Sequence, residues 1–474
     1  MPLRFDAHAL ARVPILRSLS ISSVIAWFAT VAMLGALLGA GQDALSVRVA
    51  AVCGWAIVLF ATRALPEVVT ALVTILALLA INAAPAEVIF SGFTTGGLWL
   101  TFSGLIIGTA ISTSGLGRQL ALRIFARTGA SYRRAVILLS LSGVGLGLLV
   151  PSTIPRVIVI VPIALSLAEA MGYRAGSRGH IGLTITAATM TLLPTYTILT
   201  ANLPTIVQFG AIEALFGFHV SYADYFVQQL PVNLVRFGVL LALLLPFASD
   251  AAQPPDHLPH TEPLNPAQWR LLAVLICAIA FWASDFWHAI PPAWIGLTAA
   301  AVVLLPAAGM LDRLAMKTSV DLSPMIFLAG VFAISSVAAH TGLAEDLAGA
   351  VIPKLGLARS ESLWGDLQNL YAITGFSVLI SHLTTAPAAP VLLAPLAQSM
   401  AEAVGWGTKS VAMAQMVGIS TPLLPYQAPP LIVAIGLAQI PVRPLMRICA
   451  VLALAIAAFG VPLCYLWWRL LGVI

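Results

Sequence analysis

Charge is what this chain has least of. Only 9% of its 474 residues are Asp, Glu, Lys or Arg, and 60% are hydrophobic, whereas about a quarter of a soluble domain is charged. That balance excludes a water-soluble globular protein and implies an integral membrane protein. Long polar runs are missing too. The longest, Ser249 to Gln268, is rich in Pro, Asp and His and reads as a cytoplasmic linker over 249–268, which leaves no room for a soluble domain. The four cysteines, Cys53, Cys277, Cys449 and Cys464, lie in apolar segments without CxxC spacing. Neither a disulfide framework nor a zinc site is indicated, and they read as core filler. Neither HExxH nor paired acidic Mg²⁺ motifs occur, so no catalytic residue and no cofactor is assigned and the chain is not expected to be an enzyme. The net charge of +5 comes from basic residues at the ends of apolar runs. That is a topology signal and not a nucleic-acid-binding stripe.

Apolar runs are what the chain does have. A crossing helix needs about 20 residues. On that rule, crossings are expected near 21–39, 45–62, 67–83, 97–114, 180–203, 229–248, 269–289, 293–309, 322–340, 410–440 and 448–471. Residues 133–171 and 367–404 are equally apolar but are broken in the middle by Pro, Ser and Thr, and they are expected to be re-entrant helical hairpins. The fold expected is all-α and polytopic: about eleven transmembrane helices and two hairpins. With 1–20 as a cytoplasmic N-terminal segment and neither hairpin crossing, Arg63, the cluster Arg118 to Arg134, Arg174, Arg178, Arg270, Arg313, Lys317, Arg443 and Arg447 all fall on the cytoplasmic face. The location expected is an inner or plasma membrane, with no leader removed because the run from Ile21 lacks a cleavage site.

The two halves echo each other. Ser114-Gly115-Leu116 matches Thr341-Gly342-Leu343, VPIALSLAEAMG (Val161 to Gly172) matches APLAQSMAEAVG (Ala394 to Gly405), and NLPTIVQFG (Asn202 to Gly210) parallels APPLIVAIG (Ala428 to Gly436). The chain therefore reads as two repeats, 21–248 and 269–474, each with one hairpin. The first hairpin starts in a basic context and the second in a mixed, less basic one, Lys354 to Asp366, so the repeats are expected to be inverted. Inverted repeats with broken helices mark a secondary transporter whose substrate sits near the midplane.

Three stretches resemble the divalent anion/sodium symporter family: Ala84 to Ala121, Arg63 to Ile81, and IPPAWIGLTAAAVVLLPAAGML (Ile290 to Leu311). The resemblance implies a homodimer, a static scaffold and a mobile transport domain moving elevator-fashion. It also implies uptake of sulfate or di- and tricarboxylates, commonly with Na⁺. Family members carry Ser-Asn-Thr at each hairpin tip, where this chain has Ser152-Thr153-Ile154 and Thr385-Ala386-Pro387. The loops of the broken helices read LTANLPT and YQAPPLI. By this likeness a coupling Na⁺ is expected near Ser152, Thr200 and Thr385.

The residues themselves point the same way. Helix starts at a break expose N–H donors and a positive dipole end, which suits an anion; a plain proline kink is the alternative. Ser152, Thr153, Thr384 and Thr385 offer hydroxyls at the tips, and Asn202 and Gln427 offer amides at the breaks. Arg156 is an intramembrane charge with a bidentate fork. It is expected to meet the anion and to stand in for a sodium charge, or else to pair with Glu213 or Asp224 or to snorkel to the cytoplasmic face. His382 can titrate near neutrality, which admits H⁺ as a coupling ion. Arg236 reads as an anchor near a headgroup or a dimer contact. The function expected is secondary transport of a small anion. A Na⁺/H⁺ antiporter is the alternative, and it would want buried carboxylates at the breaks that this sequence lacks.

Overall fold

Helix starts follow local chemistry. Ser131, Ser177, Ser221 and Ser362 each accept a hydrogen bond from a backbone N–H three residues on, and Asn265 forms a full capping box with Gln268. Helix ends follow it as well. The matched glycines Gly115 and Gly342 both have left-handed backbone, φ 69° and 76°, as do Gly172 and Gly405, φ 76° and 79°. Side chains rarely adopt that conformation, so the repeat kept glycine where the turn requires it.

The computed structural model describes residues 21–39, 45–62, 64–125, 131–150, 153–247, 263–311, 313–360 and 362–474. Within these it is all helical, without a strand. The first half runs α1 (Ile21–Gly39), α2 (Leu45–Thr62), α3 (Glu67–Ala80), α4 (Gly96–Ser114), α5 (Leu116–Phe125), α6 (Tyr132–Leu149), α7 (Thr153–Ala170), α8 (Arg178–Leu192), α9 (Leu203–Phe216) and α10 (Tyr222–Leu244). The second runs α11 (Pro266–Ala283), α12 (Pro292–Leu304), α13 (Ser323–His340), α14 (Leu343–Leu355), α15 (Leu363–Leu383), α16 (Pro390–Val404), α17 (Thr408–Ile419), α18 (Pro429–Ala438) and α19 (Val442–Leu470), the last with a π-turn at Ile456–Gly460. From α4 and from α13 onward the two halves have the same succession of elements. Among the described residues eight helices are long and apolar enough to cross a membrane, two of them being α6 and α7.

The segments expected as hairpins do fold back. Tyr132 at the start of α6 packs its ring against Tyr173 beyond α7, with centroids 6.2 Å apart. Asp366 at the start of α15 accepts from Trp406 Nε1, beyond α16, at 3.4 Å. The segments 180–203 and 410–440, single runs by hydropathy, are interrupted, as the family likeness implies for the loops LTANLPT and YQAPPLI; the first break begins earlier than that loop, at Pro194. Both break into a short 3₁₀ turn, Pro194–Thr197 and Pro425–Gln427, before α9 and α18 begin. Proline at each position removes a backbone donor and ends the regular ladder.

Packing exchanges the halves. α3 lies on α13 and α12 lies on α4, while α9 packs on α16 and α18 on α7. Thus each broken helix sends its second arm to the other half's hairpin. α9 also threads between α4 and α13: a methyl on Gly97 would stand 2.8 Å from Gly210 Cα, and one on Gly210 would stand 2.6 Å from the Phe332 ring. Backbone approach of this closeness is what small residues in membrane helices allow.

Candidate substrate site at the convergence of two hairpin tips and two breaks

At the first tip, Thr153 Oγ1 donates to Asn202 Oδ1 at 2.8 Å and lies 3.4 Å from the Ala201 carbonyl, which ties α7 to the start of α9. Asn202, fully buried, also donates from Nδ2 to Thr195 Oγ1 across the break, at 3.3 Å. Arg156, one turn into α7 and 1% exposed, donates to Ala201 O, Thr153 Oγ1 and Asn202 Oδ1 at 2.6, 2.9 and 3.2 Å. Glu213 and Asp224 are engaged elsewhere. Glu213 accepts from Gly96 N at 2.8 Å and meets His219 at 3.3 Å, and Asp224 pairs with Lys409. The structural ion pair weighed for Arg156 with either carboxylate is therefore not formed.

The second tip is tied by main chain. Ala386 N donates to Gln427 O at 3.0 Å, and Thr384 Oγ1 bonds back to Ile380 O at 2.7 Å. The Thr385 carbonyl accepts from Ala388 and Ala389. Gln427 uses Oε1 to hold Leu423 N and Leu424 N at 2.7 and 2.8 Å, so it shapes the break rather than offering its oxygen to a ligand. Its Nε2 is a buried donor without a hydrogen-bond partner among the described residues. His382 meets Tyr426, whose hydroxyl also donates to the His382 carbonyl.

All four features meet at one cavity of about 330 Å³. Its walls take Thr153 and Ile154 from the first tip, Ala386 and Pro387 from the second, and Leu203, Pro204 and Ala428 to Pro430 from the breaks. The starts of α7, α9 and α18 therefore converge there, and each presents the positive end of its dipole. Glu67 and Asp321 stand at its edge, both exposed. Asp321 is committed to its own helix, accepting from Ser323 N at 2.9 Å. Among the described lining residues there is no Lys, Arg or His. Of the residues expected at the site, Thr153 lines the cavity. Arg156 and Asn202 stand directly behind it, and Thr384, Thr385 and Gln427 shape the second side. His382 and Thr200 are outside the wall, Thr200 being buried beside Tyr222. Ser152 lies outside the described residues, as do the segment 1–20 and much of the linker.

Two readings need correction. Arg236 is neither at a headgroup nor on an outer face. It is fully buried, with its guanidinium 5.9 Å from the Tyr196 ring centroid, and Tyr196 lines the cavity. Its position in the sequence gives no cue, because three of its acceptors, Val417, Ser420 and Thr421, lie 181 to 185 residues away. Cys277 is exposed and not core filler, whereas Cys53, Cys449 and Cys464 are buried.

Residues 17–474 match the family described as the sodium:sulfate symporter transmembrane region. The chain belongs to that family. It is accordingly an integral membrane protein and a secondary transporter, and the family likeness read from the sequence is borne out. It is similar to a membrane protein of Cupriavidus necator, 25% identical over 396 residues, covering 81% of this chain and 76% of that one. It is also 26% identical over 240 residues to the L-tartrate/succinate antiporter of Escherichia coli K12, a match covering 45% of this chain and 47% of the antiporter. Among solved structures, the Alcanivorax borkumensis YdaH transporter is similar at a TM-score of 0.55 with 16% identity, covering 82% of this chain and 87% of that one. Neisseria gonorrhoeae MtrF, described as illuminating a class of antimetabolite efflux pumps, is similar at 0.52 with 14% identity and 84% of each chain covered. These two likenesses are of fold.

Proposed function

We propose that the chain carries a small organic anion across the membrane by alternating access, with a di- or tricarboxylate such as succinate or tartrate as the leading class. The observation that carries this is the single cavity where three helix starts and both tips meet. Positive dipole ends attract an anion, and Thr153 would meet it by turning its hydroxyl proton away from Asn202 Oδ1. Arg156 adds a permanent charge one layer behind, supplying at the first break the positive charge that a coupling cation would otherwise bring. The prolines at the break positions remove N–H donors from the wall, so the site suits an organic anion with apolar surface better than sulfate, which wants many donors. The exposed carboxylates at the edge repel negative charge, which favours a dicarboxylate over a tricarboxylate.

On this reading the hairpins enter and leave the membrane on one side, the two repeats are inverted and the N-terminus is cytoplasmic. The hairpins and broken helices move as an elevator against a scaffold within a homodimer. The antiporter alternative is disfavoured by where the buried carboxylates sit. Asp285 accepts from Ser221, Tyr222 and Ala223 at the start of α10, and Asp366 pairs with Arg469, so neither faces the cavity. Purified protein in liposomes, offered labelled succinate, tartrate, citrate and sulfate, tests the proposal. Uptake of one carboxylate that is abolished by Thr153→Val supports it, and indifference to every anion would overturn it.

A further inference from the structure

Two arginines are buried in the core of this membrane protein, and each sits at a break. At the first, a single nitrogen, Arg156 Nη2, is the focus of one main-chain carbonyl and two side-chain oxygens, from Ala201, Thr153 and Asn202. At the second, Arg236 Nη2 is the focus of the same kind of set: Ser420 Oγ at 2.6 Å, Thr421 Oγ1 at 3.0 Å and the Val417 carbonyl at 3.2 Å. Arg236 belongs to α10 of the first half but serves the end of α17 in the second. Its other amino group donates to Asn233 Oδ1 at 2.6 Å. Arg236 forms no ion pair among the described residues.

The end of α17 is the negative pole of a helix dipole, with carbonyls that no further turn of helix satisfies. Unwound carbonyls and the ends of half-helices are where transporters built from broken helices take their coupling cation. The family's description implies sodium, so the oxygens at each break can be asked whether they suit it. Sodium would have to enter a focus already filled by a guanidinium that is tethered, permanently charged and donates to every oxygen of the set. The residues do not fit that ion.

We propose that Arg236 is the built-in cation of the second break, the counterpart of Arg156 at the first, and that the protein works without a sodium ion at either. The proposal rests on the transporter reading, but its first test does not require a transported solute. A ligand that binds only the folded state raises its stability, by more the further the ligand concentration exceeds Kd. The thermal unfolding midpoint of the purified wild-type protein is therefore expected to be the same in sodium chloride and in choline chloride of equal ionic strength. A sodium-specific rise overturns the proposal.

Arg236→Met uncovers the three oxygens. Its midpoint is expected to fall below wild type and to become higher in sodium chloride than in choline chloride. A variant as stable as wild type, or equally lowered in both salts, overturns the assignment of Arg236. If the variant does not survive purification, anion uptake by wild-type liposomes decides, with equal rates expected in sodium and choline media and strict sodium dependence overturning the proposal. A protein whose stability ignores sodium but which moves no anion in either medium contradicts the transport reading and leaves the arginine assignment standing.

Discussion

The two breaks are the same device made by different means. At the first, side chains make the join: Thr153, Asn202 and Arg156 bond one another around the Ala201 carbonyl. At the second, main chain makes it, through Ala386 N to Gln427 O, with the Gln427 amide pinning the loop from inside. The first half's join therefore holds specific chemistry against the cavity, and the second half's holds shape. Substitutions should separate accordingly, with the first break more sensitive in transport and the second in stability.

Arg156→Ala is the hardest test of that contrast. It removes the donor shared by three buried oxygens, and leaving such groups short of a partner costs about 2–5 kcal/mol. Uptake is expected to be lost altogether, and denaturant unfolding should show the destabilisation. Wild-type uptake by this variant would break the contrast outright.

Next in size is a pair of glycines at the joint between each hairpin and its own broken helix. In the second half the small residue is on the broken helix: a methyl at Gly418 would press on the Thr374 carbonyl and stand 2.6 Å from Ser377 Cβ. In the first half it is on the hairpin, where a methyl at Gly143 would stand 2.8 Å from Thr191 Oγ1 and 3.0 Å from the Met190 carbonyl carbon. Overpacking costs about 1–3 kcal/mol. Gly418→Ala is expected at the upper end, because backbone of α15 must yield, and Gly143→Ala below it. Unfolding midpoints of the two variants measure the difference, and the reverse order would mean that the halves are not joined as described.

Asn202→Ala against Gln427→Ala sharpens the contrast further. Asn202→Ala removes an amide that bonds three side chains at its break and Gln427→Ala one that bonds two main-chain groups, each for about 1–3 kcal/mol. Uptake is expected to vanish for Asn202→Ala even where the protein is stable, because Thr153 loses its anchor. It should persist in proportion to folded protein for Gln427→Ala. Equal uptake in the two variants at matched folded fraction would remove the distinction between the breaks.

Much of this was legible in the sequence, and the illegible parts share a cause. The hairpins and the matched glycines show in the chain because proline breaks and turn glycines act locally. Thr153, Asn202 and Arg156 could be named because the tip and its break are read from residues close to a proline. Arg236 is not placed by the sequence, since α10 must be laid against the end of α17 before the acceptors beyond Asn233 appear, and no local pattern encodes that. Hydropathy alone runs 180–203 together for a related reason, since Pro194 and Asn202 sit in an apolar stretch, and only the family likeness marks a break there. Glu67, at the start of α3, and Asp321, just before α13, meet at the cavity edge because α3 packs on α13 of the other half.

His382 supplies the smallest expected effect, on the shape-holding side of the contrast. Its ring Nδ1 is 3.3 Å from the Tyr426 hydroxyl, but that hydroxyl already donates to the His382 carbonyl, and the ring is outside the cavity wall. Removing the ring takes away a contact whose partner keeps another acceptor, so His382→Ala should cost no more than about 1 kcal/mol. Because the imidazole neither lines the cavity nor bridges the halves, its protonation has no direct route to the anion. The dependence of uptake on pH should be the same for His382→Ala as for wild type. A variant whose uptake no longer responds to pH, at unchanged stability, would make His382 a proton-coupling group and give the second half a chemical role of its own.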